Sequence, residues 1–338
     1  DNVLVGRLAG GTGAMTGDYN VFVGTGIGGN NALTSAYQNV VIGREAAYYG
    51  TSFNTSVLVG YSAGKNITNG AEIVAVGYNA YDNADTEAHN LAIGSNALGG
   101  AVAGGEYNVA VGNAALDALT SSDYNVAMGY NAGTNLQGGD GQNTIVGYDA
   151  GSALTSGGYN TLIGSQVNTV TTGGNNTLIG RLAGTSGSPS GAIGTGSNNI
   201  CLGNNDISAL FCADTSISSS DKRDKTDVEN FNVGLEWIEK LQPVTYRWDR
   251  RTWYGDEENP FGTPDGSKKR ERLHLGFLAQ DVLEVEKSFG YAEKRDDMLT
   301  VNLTEDGNSY GMKYERLVTV LVNAVKELSA EVKALKGE

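Results

Sequence analysis

The side chains able to do chemistry in this chain are few. Among 338 residues there are two histidines, His89 and His274, and two cysteines, Cys201 and Cys212. A histidine-dependent triad or a His/Cys metal site would have little to draw on. Two cysteines make no disulfide framework, and both read as small buried or semi-buried residues. No cofactor or metal is expected. Carboxylate chemistry on a polysaccharide needs two acids across a cleft, ~5 Å or ~6.5–9.5 Å apart. The acids of the first half, such as Glu45, Glu72, Asp85, Glu87 and Glu106, are sparse and scattered. One pairing remains. A serine hydroxyl becomes a nucleophile when a base takes its proton, and a lysine amine can be that base once desolvation favours its neutral form. Ser220 and Asp221 are followed by Lys225, but on spacing alone such a trio is commonplace in solvated linkers.

The elements that would position these residues divide sharply by composition. Residues 1–213 hold 40 of the 49 glycines and only four of the 23 Lys and Arg, whereas all three tryptophans lie beyond them. The net charge of −15, negative in both halves, argues against a nucleic-acid partner. No apolar run of about 18 residues is present, so no membrane insertion is expected, and no signal peptide is visible. The chain opens with Asp1 already inside a repeating pattern, the expectation for a piece of something longer.

That pattern, N-[VLTI]-x-[VIML]-G, places its glycine at Gly6, Gly24, Gly43, Gly60, Gly77, Gly94, Gly112, Gly129, Gly147, Gly164, Gly180 and Gly203. Asparagine stands four residues earlier in all copies but two, where Ser56 and Ile73 take its place; alanine usually stands three residues later. Three consecutive apolar residues read as a short strand buried on both faces. The glycine permits positive φ or a close backbone approach, and the alanine fits inside the bend. One unit cannot bury its own face but a stack can, and stacking would line the asparagines into an amide ladder. Residues 1–205 are therefore expected to form a parallel β-solenoid or β-roll shaft of about twelve repeats. The coil could lie within one chain or interleave three. Gly24 to Gly29 satisfies G-x-G-x-x-G, but inside a repeat array with no following helix. Gly138-Gly139-Asp140-Gly141 is a single calcium-repeat-like copy. Tyr19, Tyr107, Tyr124 and Tyr159, each just before the repeat position of the asparagine, could form a glycan-binding stripe, or cover a coil edge or a subunit contact.

The N-x-x-I-G-x-x-A core, as in Asn90 to Ala97, resembles the head repeats of trimeric autotransporter adhesins and the repeat shafts of phage tail fibres. Beyond a connector at 206–220 the sequence changes to mixed charge without the repeat. Leu235–Leu241 has helical spacing between Gly234 and Pro243, Val244–Trp248 alternates as a strand, and 249–272 reads as an exposed loop. Four segments, Ser220–Lys225, Leu241–Trp248, Gly276–Val282 and the final Tyr314–Leu335 helix, together resemble the C-terminal intramolecular chaperone of phage endosialidases, tailspikes and tail fibres, a self-cleaving serine peptidase domain. The resemblance implies Ser220 as nucleophile, Lys225 as base and scission at the Ser220–Asp221 junction, with the choice between the two bonds beside Ser220 open. Asp224 departs from the hydrophobic residue usual before the lysine, and its charge would hold Lys225 protonated if it lay close.

The last helix, about 313–336, carries apolar residues at Tyr314, Val318, Leu321, Val325, Leu328, Val332 and Leu335. Steps alternating four and three are coiled-coil spacing, and the resemblance implies a homotrimer. The fold class expected is mostly β: a repetitive, trimeric parallel β-solenoid shaft, then a smaller α+β chaperone domain at 221–338 ending in a coiled-coil helix. The function implied is the distal part of a phage tail fibre or spike on the virion, extracellular when mature. Its partners would be itself, the rest of the tail, and a host glycan or outer-membrane protein. A bacterial trimeric adhesin carrying the same chaperone is the alternative.

Overall fold

The computed structural model describes residues 1–29, 33–207, 210, 220–255, 259–304 and 306–337. It divides into two compact units, Asp1–Asp206 and Ile207–Glu338.

The first unit is a parallel β-solenoid. Twelve three-residue strands, β1 (Val3–Val5) to β12 (Ile200–Leu202), pair in sequence order into one sheet. The pairing is in register throughout, so Val109, Ala110 and Val111 of β7 (Val109–Val111) stand over Val126, Ala127 and Met128 of β8 (Val126–Met128). The coil thus lies within one chain. The repeat glycines are fixed by two constraints at once. Gly94 has φ 135°, in the region closed to most side chains, and a Cβ there would run into the carbonyl of Gly112 in the next coil. The alanines that follow, including Ala97, Ala115, Ala132 and Ala150, are fully buried inside the bend.

The amide ladder is present. Asn143 donates from both its backbone N and its Nδ2 to Asn125 Oδ1, at 3.1 and 2.9 Å, and its Nδ2 also reaches Gly157 O at 2.9 Å. Asn160 repeats the arrangement on Asn143. These amides are almost wholly buried, and the ladder satisfies both their donors and their acceptors.

The expectation that the strands are buried on both faces needs correction. Only the middle residue of each inner strand is enclosed; the residues either side are partly exposed, Met128 to 45% and Ile179 to 41%. A coil folded from one chain covers one face of its sheet, and here the other face presents two columns of mostly β-branched and aliphatic side chains to solvent.

The second unit holds α1 (Leu235–Lys240), β13 (Val244–Tyr246) antiparallel to β14 (His274–Gly276), α2 (Ala279–Ser288), β15 (Val301–Leu303) antiparallel to β16 (Tyr310–Met312), and α3 (Leu317–Lys336). Its core gathers Ala279, Val282, Leu283, Ala292 and Val301 with Phe277, Met298 and Met312. Trp237 on α1 is fully buried and stacks on Phe289 at 5.1 Å. The helix expected at 235–241 is thus present. The loop expected at 249–272 includes a turn of 3-10 helix at Arg251–Trp253. Helix α3 begins three residues later than the heptad does, after a 3-10 turn at Tyr314–Arg316. Leu317, Val320 and Ala324 are buried, and α3 packs against α1. Asn323 Nδ2 donates to Phe231 O at 2.6 Å, and Glu327 Oε2 accepts from Leu235 N at 2.6 Å, satisfying an orphan amide at the start of α1. The whole heptad stripe, from Tyr314 and Val318 through Val325 to Leu335, remains exposed.

Candidate functional site

Ser220 lies at the head of a short segment whose only regular structure is one turn of 3-10 helix, Lys222–Asp224. Asp221 before the turn and Lys225 after it are extended, so the chain enters, bends once and leaves. The bend brings the two ends together: Lys225 Nζ donates to Ser220 Oγ at 2.6 Å. The residue types that the spacing alone left unremarkable are therefore in hydrogen-bond contact. Asp221 is occupied differently. Its carboxylate accepts from Arg223 N at 2.9 Å and from the Arg223 guanidinium, with Nη2 to Oδ2 at 2.6 Å. The Arg223 side-chain hydrogen bonds, and then the backbone one, hold the Asp221 carboxyl below the usual carboxylate range. Asp224 makes no ion pair with Lys225 among the described residues. Ser220 and Lys225 are exposed in the single chain.

Several of the other chemical candidates have structural employment. His89 Nδ1 lies 3.0 Å from Glu72 Oε2 and its ring stacks on Tyr107 at 4.6 Å; His274 stacks on Tyr246 in the other unit. Cys201 is buried beside Gly203 O, and Cys212 lies outside the described residues, as does most of the connector. Glu45 pairs with Arg44, and Glu87 accepts from the amides of Asp85, Thr86 and Gly104. Among the described residues no group of three or more His, Cys, Asp or Glu could hold a metal, and no helix is long and apolar enough to cross a membrane. In the G-x-G-x-x-G stretch the amides of Gly24, Gly26 and Gly28 donate to Val5, Arg7 and Ala47. They are spent on neighbouring coils and cannot cradle a phosphate.

The four tyrosines before the asparagine positions form no continuous stripe: Tyr19 and Tyr159 stand exposed, at 65% and 51%, and of the four Tyr107 and Tyr124 alone face each other. Tyr107 and Tyr124 stack 5.0 Å apart with planes 7° from parallel, and Tyr61–Tyr78 and Tyr130–Tyr148 form a second set after the repeat glycines. In these pairs the facing ring surfaces are taken, which leaves edges, hydroxyls and outer faces to solvent.

Sequence reasoning missed Arg223. A residue two positions from an aspartate carries no signal until the backbone shows the turn that folds one side chain onto the other.

Residues 220–291 match the family model described as Chaperone of endosialidase, Peptidase_S74. The match begins at Ser220, takes in three of the four resembling segments and stops short of the Tyr314–Leu335 helix. It supports an intramolecular chaperone domain, of a family associated with homotrimer assembly. No curated protein and no solved structure matches the chain.

Proposed function

We propose that this chain is the distal part of a phage tail fibre or spike, whose C-terminal unit trimerises the chain, guides the solenoid's folding and then releases itself by cleavage beside Ser220. The observation that carries the cleavage is the 2.6 Å contact between Lys225 Nζ and Ser220 Oγ, at the head of the segment that matches the chaperone family.

In the reacting state Lys225 is neutral and accepts the Ser220 proton as Oγ adds to a carbonyl carbon. The resemblance implies scission at the Ser220–Asp221 junction, but attack on the carbonyl preceding Ser220 closes a five-membered ring, whereas attack on the serine's own carbonyl closes a strained four-membered one, and ring size favours the N-terminal of the two bonds beside Ser220. Collapse breaks the C–N bond at the Ser220 nitrogen, which takes the proton back, and leaves an ester on Oγ. Water hydrolyses the ester, separating residues 1–219 from 220–338. A lysine exposed to water is a weak candidate for a neutral base; burial of the dyad on assembly would supply the desolvation and make cleavage wait for the trimer.

Two exposed apolar features support assembly. The heptad face of α3 is solvent-facing while its other face packs on α1, and knobs spaced four and three apart need partner helices. The outward columns of the solenoid sheet likewise want cover. Trimerising the C-terminal unit first raises the local concentration of three shafts, offsetting the slow nucleation of a fold built from non-local pairs. Losing the chaperone afterwards removes the route back and leaves a kinetically trapped fibre, whose tip meets a host glycan or outer-membrane protein.

Intact mass spectrometry of the wild-type chain beside Ser220→Ala and Lys225→Ala tests the cleavage. Two fragments from wild type and whole chains from both variants are expected. A wild-type chain that stays whole after trimerising would reduce the dyad to a turn contact.

A further inference from the structure

The 3-10 turn between Ser220 and Lys225 is too slight to hold itself. Its backbone bonds are two, Asp224 N to Asp221 O at 3.2 Å and Lys225 N to Lys222 O at 3.4 Å, and isolated turns of this kind in water are marginal. What braces it is a side-chain clasp. Arg223 folds back over two residues so that Nε lies 3.1 and 3.2 Å from Asp221 Oδ1 and Oδ2, Nη2 lies 2.6 Å from Oδ2, and the Arg223 backbone N adds 2.9 Å to Oδ1. A planar guanidinium suits this fork-on-carboxylate geometry and stays charged at any working pH.

The clasp has an electrostatic consequence. Asp221 is the immediate neighbour of Ser220, so its carboxylate sits one residue from the hydroxyl that Lys225 must reach. A free carboxylate there would draw in the Lys225 ammonium, and an opposite charge at that range favours the protonated amine. With Asp221 taken by Arg223, Lys225 is hydrogen-bonded to Ser220 instead. The charged groups nearest Lys225 on its own segment are Asp221, Lys222, Arg223, Asp224 and Asp227, the last accepting from the Thr226 hydroxyl; no ion pair or hydrogen bond joins Lys225 to another element among the described residues.

We infer that Arg223 is a positioning residue for self-cleavage: by clasping Asp221 it holds the turn that sets Lys225 on Ser220 and keeps the Asp221 carboxylate from capturing the lysine. This rests on the self-cleaving reading above.

Two readouts on the full chain test it. The first is the cleavage rate of freshly synthesised chain across pH. Arg223→Ala is expected to slow cleavage at neutral pH on the order of tenfold and to move the rate profile to higher pH. Arg223→Lys, which keeps charge but not the fork, should restore only part. The double variant Asp221→Asn with Arg223→Ala should regain the wild-type pH profile while staying slower, because the rival carboxylate and the brace are both gone. A merely structural role would lower the rate with no change in profile. The second readout does not need cleavage. In the Ser220→Ala chain, acetic anhydride is used to modify amines, and peptide masses report acetylation at Lys225 relative to Lys222. Adding Arg223→Ala should depress Lys225 acetylation several-fold. If wild type is not cut but acetylation falls, the clasp stands and the self-cleaving reading fails. If Arg223→Ala leaves the rate profile and the acetylation unchanged, the clasp is overturned.

Discussion

At the scale of single residues the solenoid shows how a broken repeat is repaired. Ile73 stands where ten other copies carry asparagine and has no side-chain oxygen to offer Asn90 in the next coil. Instead Asn90 Nδ2 donates to the Tyr81 hydroxyl at 3.0 Å, and Tyr81 donates in turn to Glu87 O at 3.2 Å. Tyr81 is fully buried, and burial pushes its hydroxyl well above the usual phenol range, so it remains a neutral group able to do both. Tyr81→Phe should therefore destabilise the solenoid by about 1–3 kcal/mol in chemical denaturation, the cost of a buried polar group left unpaired. Combining it with Ile73→Asn should recover much of that loss, because the amide then has its ladder acceptor again; simple additivity would show that the two positions are not linked. The exception at Ile73 was visible in the sequence, but its remedy was not, since Tyr81 belongs to the intervening bend and meets Asn90 only once the coil closes. A second residue-scale consequence concerns pH. Burial raises the Asp82 and Asp117 carboxyls above their usual range, and Asp117 adds repulsion at Asp82. A carboxyl whose folded titration lies above its unfolded one is more protonated in the folded chain, so its ionisation opposes folding. Solenoid stability should accordingly rise as pH falls from neutral through these raised values, and Asp82→Asn should flatten that rise in thermal melts.

At the scale of elements, legibility followed repetition. The twelve strands, their glycines and the asparagine ladder could be read because each unit restates the same rule. The outward face of the sheet was misjudged, because three apolar residues in a row look the same whether the second face is covered by the chain itself or by something else. The second unit offers no repeats, and its most consequential polar group, Glu286 on α2, gave no warning. It is wholly buried, and accepts from Thr300 N at 2.6 Å, from Val301 N and Leu299 N at 3.0 Å, and from the Thr300 hydroxyl. One carboxylate thus ties α2 to the start of β15. Glu286→Gln replaces an acceptor with an NH2 group facing those donors, and should cost about 2–4 kcal/mol of stability in the C-terminal unit, read by urea unfolding with tryptophan fluorescence. A cost under half that would show that the amide can turn to satisfy the same donors. The Ser220–Lys225 contact belongs between these extremes: its geometry came from a single turn, and only the flanking family segments made it worth seeking.

At the scale of the whole molecule, the two units share one deficit. The solenoid leaves a sheet face, and α3 leaves a heptad face, that one chain does not cover, while a serine and a lysine are in contact beside the connector. An account in which the C-terminal unit assembles three chains and then departs joins these observations, and makes cleavage a record of assembly. The most direct measurement is native mass spectrometry of the wild-type chain after folding. The account predicts three copies of residues 1–219 held together, with residues 220–338 released; the Ser220→Ala chain should instead appear as a trimer of whole chains. Wild-type and Ser220→Ala chains both found as intact monomers would contradict it.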